Sequence, residues 1–342
     1  MSFGMRSNTR EAFMHYQRTI RAAEVLIVTF LSARLCNLGA QEPVTATPIA
    51  ERAIATLEIP GFVDFLAAEG AAVWITNEGR VEKLRHDRPS PVASVAVPEP
   101  CGAMIVAFGS LWVANCRDSS VYRIDLETSK VVSIIRTGLA DPTGELGLAA
   151  GAGSVWILTD RKGTLSRIDP ETDKIISQVT VAPYSYAAAF GFDSVWITNT
   201  GTDPKRGRGS VQRIDPATNK VIARIPVGPE PRFLATGEGA VWTLNQGDGS
   251  VTRIDPGTNQ AVASIPLGMV GSGGDIAAGG GRVWVRGKTV LLAAIDPAVN
   301  RVVEFFGPPA GSGGVRVADD LVWVTAHDIH TVWVLRPKAR RP

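Results

Sequence analysis

Residues 231–266 alternate apolar and polar positions in four short runs: PRFLATG at Pro231–Gly237, AVWTLN at Ala240–Asn245, SVTRID at Ser250–Asp255 and AVASIP at Ala261–Pro266. A period of two with many β-branched residues predicts strands, here lettered a to d. Between them stand GEG at Gly237 and DPGTN at Asp255. Pro and Gly preset φ there, and Asp, Thr and Asn bond local backbone, so both gaps are predicted turns.

The pattern recurs. Seven tryptophans occupy near-identical contexts, Trp74, Trp112, Trp156, Trp196, Trp242, Trp284 and Trp323, at spacings of 38 to 46 residues. A second phrase follows each of several: YRIDLETSK at Tyr122, SRIDPETDK at Ser166, QRIDPATNK at Gln212, TRIDPGTNQ at Thr252 and the weaker AAIDPAVNR at Ala293. Such a period marks propeller blades, each a four-stranded antiparallel sheet. The last unit supplies a (Gly313–Ala318), b (Leu321–Ala326) and c (Thr331–Leu335) and then stops, whereas Ala55–Pro60 (ATLEIP) reads like a strand d with no blade of its own. The expectation is an all-β, seven-bladed β-propeller over residues 52–337, its last blade closed by the N-terminal strand so that no edge is left unpaired.

Composition agrees. With 45% hydrophobic and 20% charged residues the 342-residue chain is not disordered. Three cysteines exclude a disulfide miniprotein, and no apolar run reaches the roughly 18 residues of a spanning helix. The 35 Gly and 22 Pro suit many turns.

The repeated G-x-V-W-hydrophobic-x-N, the R-I-D-P-x-T-N-K phrase and a strand d reading IPVG at Ile225–Gly228 or IPLG at Ile265 resemble the streptogramin (virginiamycin) B lyase and YncE-like seven-bladed propellers. The resemblance covers about 285 residues. It implies the fold, and for the lyases a Mg²⁺-dependent elimination that opens a cyclic depsipeptide. There a Glu-x-His begins one strand a and a Glu follows that blade's Trp-bearing strand. This chain departs from that pattern: no strand-a start carries His, no third position after Trp carries Glu, and the nearest acid is Glu78.

Residues 14–40 read as a secretory signal, with Arg18 and Arg21 before the apolar Val25–Ala33 and Leu38-Gly39-Ala40 before Gln41. An uncleaved amphipathic helix is the alternative. The division expected is residues 1–40 as targeting segment, 41–51 as linker, 52–337 as propeller and 338–342 as basic tail, in a periplasmic or secreted protein. In blade 2 a two-residue turn near Phe108-Gly109 would place Cys101 opposite Cys116, within disulfide reach. A slip of one residue would put them on opposite faces; two free packed thiols are the alternative.

In this strand order the b–c and d–a loops surround the channel mouth, the default ligand face. Three residues after each Trp come Asn77, Asn115, Thr159, Asn199, Asn245, Gly287 and Ala326. Four asparagines could form a ring of amides, or each could open its own turn. Ten residues before each Trp come Asp64, Gly102, Leu146, Tyr186, Arg232, Gly274 and Gly313. Tyr186 and Arg232 break the small-residue pattern, and Arg232 could hold a carboxylate or phosphate or form a rim salt bridge with Glu230 or Asp64. The b–c insertion Asn199–Gly209 carries Lys205, Arg206 and Arg208 and reads as a basic finger or a solvated loop. His327, Asp328 and His330 sit in the last b–c loop as weak catalytic or metal candidates. The repeated arginine (Arg123, Arg167, Arg213, Arg253) reads as a blade-to-blade contact, because it recurs.

The net charge of +2 divides unevenly: +3 in residues 1–40, +4 in residues 336–342 and −5 between them. A mildly acidic propeller is a poor nucleic-acid platform. The expected function is therefore an exported, non-catalytic, monomeric propeller, without cofactor or transmembrane helix when mature. It would bind a protein, peptide or small ligand on the b–c/d–a face. A divergent lyase using Mg²⁺ is the alternative.

Overall fold

The computed structural model describes residues 45–141, 146–200 and 209–338. Each tryptophan repeat folds as an antiparallel sheet with strand order a-b-c-d, and the seven sheets form a ring whose strands a line a central channel. Blade 5 runs Pro231–Gly237, Ala240–Asn245, Ser250–Asp255 and Gln260–Pro266. Blade 7 is built of Val315–Ala318, Leu321–Ala326 and Thr331–Leu335, completed by Ala53–Glu58, which pairs antiparallel with Thr331–Leu335. No helix among the described residues is long and apolar enough to cross a membrane.

Three boundaries differ from expectation. The closing strand is Ala53–Glu58 rather than Ala55–Pro60; proline offers no N–H, and above it only Ile59 N–H reaches His330 O, at 2.8 Å. Strand a of blade 7 begins at Val315, because Gly313 passes against the Thr325 carbonyl, where a Cβ would come within 2.1 Å. Residues 45–51, read as linker, belong to the fold. Thr47–Pro48 pairs parallel with Phe306-Gly307 as a fifth strand on blade 6, and Ile49 is buried beside Trp284 and Phe306.

The tryptophans explain why the repeat is needed. A single sheet leaves both faces wet; stacking blades buries them. The Trp112, Trp156, Trp196 and Trp242 rings are fully buried, and each Nε1 donates to the carbonyl five residues back, in the a–b turn, at 2.9–3.2 Å. Trp74 donates instead to Glu69 Oε2 at 2.6 Å. Over the rings of Trp112, Trp156, Trp196 and Trp242 lie Arg123, Arg167, Arg213 and Arg253, 4.8–5.3 Å from the centroids.

Each of these guanidiniums then reaches into the next blade. Arg213 donates to Ser194 Oγ in its own blade at 2.8 Å, and to Pro256 O at 2.6 Å and Asn259 Oδ1 at 2.8 Å in the following c–d turn. Arg123, Arg167 and Arg253 make the same two outward bonds, to Pro170 and Asp173, Pro216 and Asn219, and Pro297 and Asn300. The acceptor turns are held ready: Asn219, Asn259 and Asn300 adopt left-handed φ of 53–56°, and Asp215 and Asp255 accept from the turn's own N–H groups. These recurrent arginines are blade-to-blade contacts, as the repetition implied.

The outer strands d expose Val132, Ile176, Ile222, Val262, Val303 and Ile54, each about half accessible. Every one is the residue skipped by a register shift, so each is the extra residue of a β-bulge. A bulge twists an edge away from foreign strands. The exposed β-branched side chains therefore belong to edge protection and not to an apolar docking face.

Arg213→Ala is expected to lower stability by about 2–3 kcal/mol, since charge-assisted bonds and a cation–π contact are lost together. Arg213→Lys should recover only part, because one ammonium cannot span three acceptors. Urea denaturation checks this; a cost below about 0.5 kcal/mol, the range of ordinary surface changes, would remove the inter-blade role.

Candidate ligand-binding site on the loop face

Strand b ends on the face where the b–c and d–a loops emerge, and alternation decides which residues reach it. The third position after Trp points into the blade. Asn115 and Asn245 are fully buried and Asn77 and Asn199 nearly so. Asn115 Oδ1 accepts from Glu99 N–H at 2.8 Å and its Nδ2 donates to Asp118 at 2.6 Å. Asn245 bonds Thr243, Ser250 and Thr252. Asn77 donates to Pro60 O and Glu82, and Asn199 to Pro183 O and Ser185. The amides are thus used within the fold: Asn77, Asn115 and Asn199 tie strand b to the preceding d–a loop, and Asn245 ties strand b to strand c; Asn77 also borders a cavity on this face.

The fourth position after Trp is buried in blades 2, 4 and 5, as Cys116, Thr200 and Gln246, but blades 1, 6 and 7 carry Glu78, Lys288 and His327 there. All three line a cavity of about 630 Å³ over blades 1, 2, 6 and 7. Phe62, Asp64, Phe65, Glu99, Ser272 and Ser312 complete most of its wall. Phe62 stands half exposed and stacks on His327, ring centroids 4.1 Å apart at 22°. The carboxylates of Glu78 and Glu99 and the ammonium of Lys288 form no ion pair or side-chain hydrogen bond with the described residues.

Beneath the Lys288 wall lies Arg286, fully buried, donating to the carbonyls of Thr325 (3.0 Å), Gly287 and Ala310 (3.4 Å). Burial draws its pKa down to about 10, against the opposing charges of Asp64 and Asp328. His327 Nδ1 stands 2.6 Å from Asp328 Oδ1. Burial holds its pKa below the usual histidine value; Asp328 works against that shift, and Arg286 and Lys288 add to it.

The other candidates disperse. His330 turns away, its Nδ1 2.5 Å from Gly61 O. Among the described residues no group of three or more His, Cys, Asp and Glu could hold a metal ion. Arg232 forms neither expected salt bridge: its guanidinium lies 4.0 Å over Tyr186 on the far rim, blades 4 and 5, with Nε buried and unpartnered. Lys205, Arg206 and Arg208 of the basic finger, the signal-like segment and residues 339–342 of the tail lie outside the described residues.

Cys101 and Cys116 are joined as a disulfide, Cα–Cα 5.8 Å, at the cavity's edge. They are not directly opposite. The Phe108-Gly109 hairpin pairs Ile105 with Trp112, but Pro100 pairs with Asn115. The register has moved by two, which preserves side-chain parity and leaves the cysteines diagonal.

The central channel offers a second cavity, about 340 Å³, walled mostly by small apolar residues of strands a. Its charged members satisfy each other. Asp275 accepts from Arg316 at 3.1 Å, Val315 N–H at 3.1 Å and Ile276 N–H at 2.8 Å, and burial raises its pKa. Arg316 also donates to Leu66 O at 3.1 Å. This pair clamps blades 6, 7 and 1, whereas in the loop-face cavity Glu78, Glu99 and Lys288 have no charged partner among the described residues.

His327 is expected to titrate below the ordinary imidazole value near 6.5. A lowered histidine pKa means the fold disfavours the proton. Stability from this group is therefore present above pH about 6.5 and lost as pH falls toward the folded pKa. In proton NMR titration, Asp328→Asn should lower the midpoint further and Lys288→Met should raise it; opposite movements would refute the assigned environment.

No family model matches the chain, and no curated protein sequence does. Solved structures share the fold. BamB from Moraxella catarrhalis is similar at TM-score 0.57 and 14% identity over 81% of this chain and 83% of that one. Hydrazine synthase of Kuenenia stuttgartiensis is similar at TM-score 0.67 and 14% identity, over 88% and 99%. The Pan2 WD40 domain of Neurospora crassa is similar at TM-score 0.64 and 11% identity, over 84% and 96%. These likenesses place the chain among β-propellers and leave the streptogramin B lyase and YncE-like grouping as a resemblance of repeat motifs.

Proposed function

We propose that the protein is a non-catalytic binding propeller whose ligand occupies the loop-face cavity. One observation carries the reading: a cavity of about 630 Å³ combines the half-exposed Phe62 ring with Glu78, Glu99 and Lys288, whose charges have no partner among the described residues. The size lies within the ~300–1,000 Å³ range of small-ligand sites, and a few convergent polar groups on an apolar wall are their usual chemistry. Propellers host both binding and catalytic sites, so the fold does not choose between them. Nothing in the site favours the lyase reading.

A thermal-shift panel of amino acids, short peptides, polyamines, nucleosides and monosaccharides tests this. A true ligand at about a hundred times its Kd adds about 2.7 kcal/mol, a rise of several degrees in Tm. The rise should vanish in Phe62→Ala. A panel without any shift, or shifts that Phe62→Ala leaves intact, would defeat the proposal.

The same reading places the protein in the periplasm or outside the cell. The signal-like residues 14–40 and the Cys101–Cys116 bond support it, because disulfides persist in oxidising compartments. In producing cells quenched with acid and treated with maleimide, both cysteines should take label only after reduction. Label on mature protein before reduction would argue against export.

A further inference from the structure

The exposed charges of the cavity stand on separate blades, while Asp64, which also lines it, opposes the charge of buried Arg286. Glu78 comes from the b–c loop of blade 1 and Glu99 from the connection into blade 2. Lys288 comes from the b–c loop of blade 6, two blades away around the ring from blade 1, with buried Arg286 beneath it. Lys288 lies close enough to His327 to disfavour its proton, and burial acts in the same direction, whereas Asp64 and Asp328 oppose the charge of Arg286. Between the two walls lies the Phe62 ring on its His327 partner, with Phe65 behind. The side chains of Glu78, Glu99 and Lys288 are without partners among the described residues, and all three residues are exposed.

A ligand of one charge would meet repulsion at one wall. A neutral ligand would leave both walls unmatched. A molecule with charges of both signs at its two ends and an apolar body between them matches every wall at once. Resting on the binding reading above, we infer that the cavity takes a short zwitterionic ligand of peptide type. Its ammonium end lies at Glu78 and Glu99, its carboxylate end at Lys288 and its apolar body over Phe62. Ser272 and Ser312 supply hydroxyls at the Lys288 side. The contacts are partly exposed, so each charged end contributes modestly and is weakened by salt.

Isothermal titration with the tripeptide Ala-Phe-Ala, its N-acetylated form and its C-amidated form tests the assignment. The free tripeptide should bind most tightly, and each capped form about threefold more weakly, equivalent to about 0.7 kcal/mol. The double variant Glu78→Gln/Glu99→Gln should abolish the advantage of the free amino end while leaving that of the carboxylate. Lys288→Met should do the reverse. These exposed substitutions should leave the far-UV circular dichroism and Tm of the free protein unchanged, which separates a lost ligand from a lost fold. Absence of tripeptide binding, or capping effects that the variants do not remove, would overturn the inference. If another class from the panel binds in a Phe62-dependent way while the tripeptide does not, the zwitterion is excluded and the binding site stands.

Discussion

The structure depends on one contact repeated around the ring: an arginine that lies on its own blade's tryptophan and grips the c–d turn of the next. Arg123, Arg167, Arg213 and Arg253 each lie over an indole and bond a backbone carbonyl and an Asn or Asp side chain across the seam. Hydrophobic burial draws blades together but is indifferent to their relative height and tilt. A planar guanidinium with fixed donor directions is not. The contact therefore makes the seam directional. It also explains why the phrase R-I-D-P-x-T-N is long, since it holds both halves of a joint: the Arg that reaches forward and the turn that the preceding blade's Arg will hold.

The joint must fail where the ring closes. Blade 7 takes strand c from one end of the chain and strand d from the other, so it has no c–d turn to be gripped. Blade 6 accordingly carries Ala294 where blades 2 to 5 carry arginine, and blades 7 and 1 carry Val334 and Lys83. Other contacts replace it. Arg52, just before the closing strand, pairs with Glu304 on blade 6, and Lys338 reaches the same carboxylate at 3.1 Å. Ile49 fills the seam from the N-terminal side. On the channel side Arg316 links Asp275 of blade 6 to Leu66 of blade 1. Closure is thus held from outside by the first described residues and from inside by a buried ion pair.

What could be read in the sequence was what repeats. The tryptophan spacing, the turn chemistry and the missing last strand placed seven blades and their closure within two residues. The strap at Thr47–Pro48 was not legible, because two residues carry no periodicity and their pairing is parallel to a distant strand. Asparagines three positions after Trp drew attention by recurring in four blades, and there their amides tie strand b to neighbouring loops and strands. Phe62, Glu99 and Lys288 went unnoticed because they do not recur. Glu78, Lys288 and His327 nevertheless share a column, one residue beyond the asparagines, whose members in blades 2, 4 and 5 are the buried Cys116, Thr200 and Gln246, so the repeat alone does not single them out.

A ring of equivalent blades has no reason to bind anything at one place, so a site for a single ligand must break the repeat. The cavity lies where the repeat is weakest. Blades 6, 7 and 1 lack the seam arginine, carrying Ala294, Val334 and Lys83 in its position, and together with the entry to blade 2 they supply the cavity wall. The regular blades 3, 4 and 5 contribute no residue to it. Phe62, Glu78, Glu99 and Lys288 thus stand in the sector of the loop face where closure interrupts the repeat.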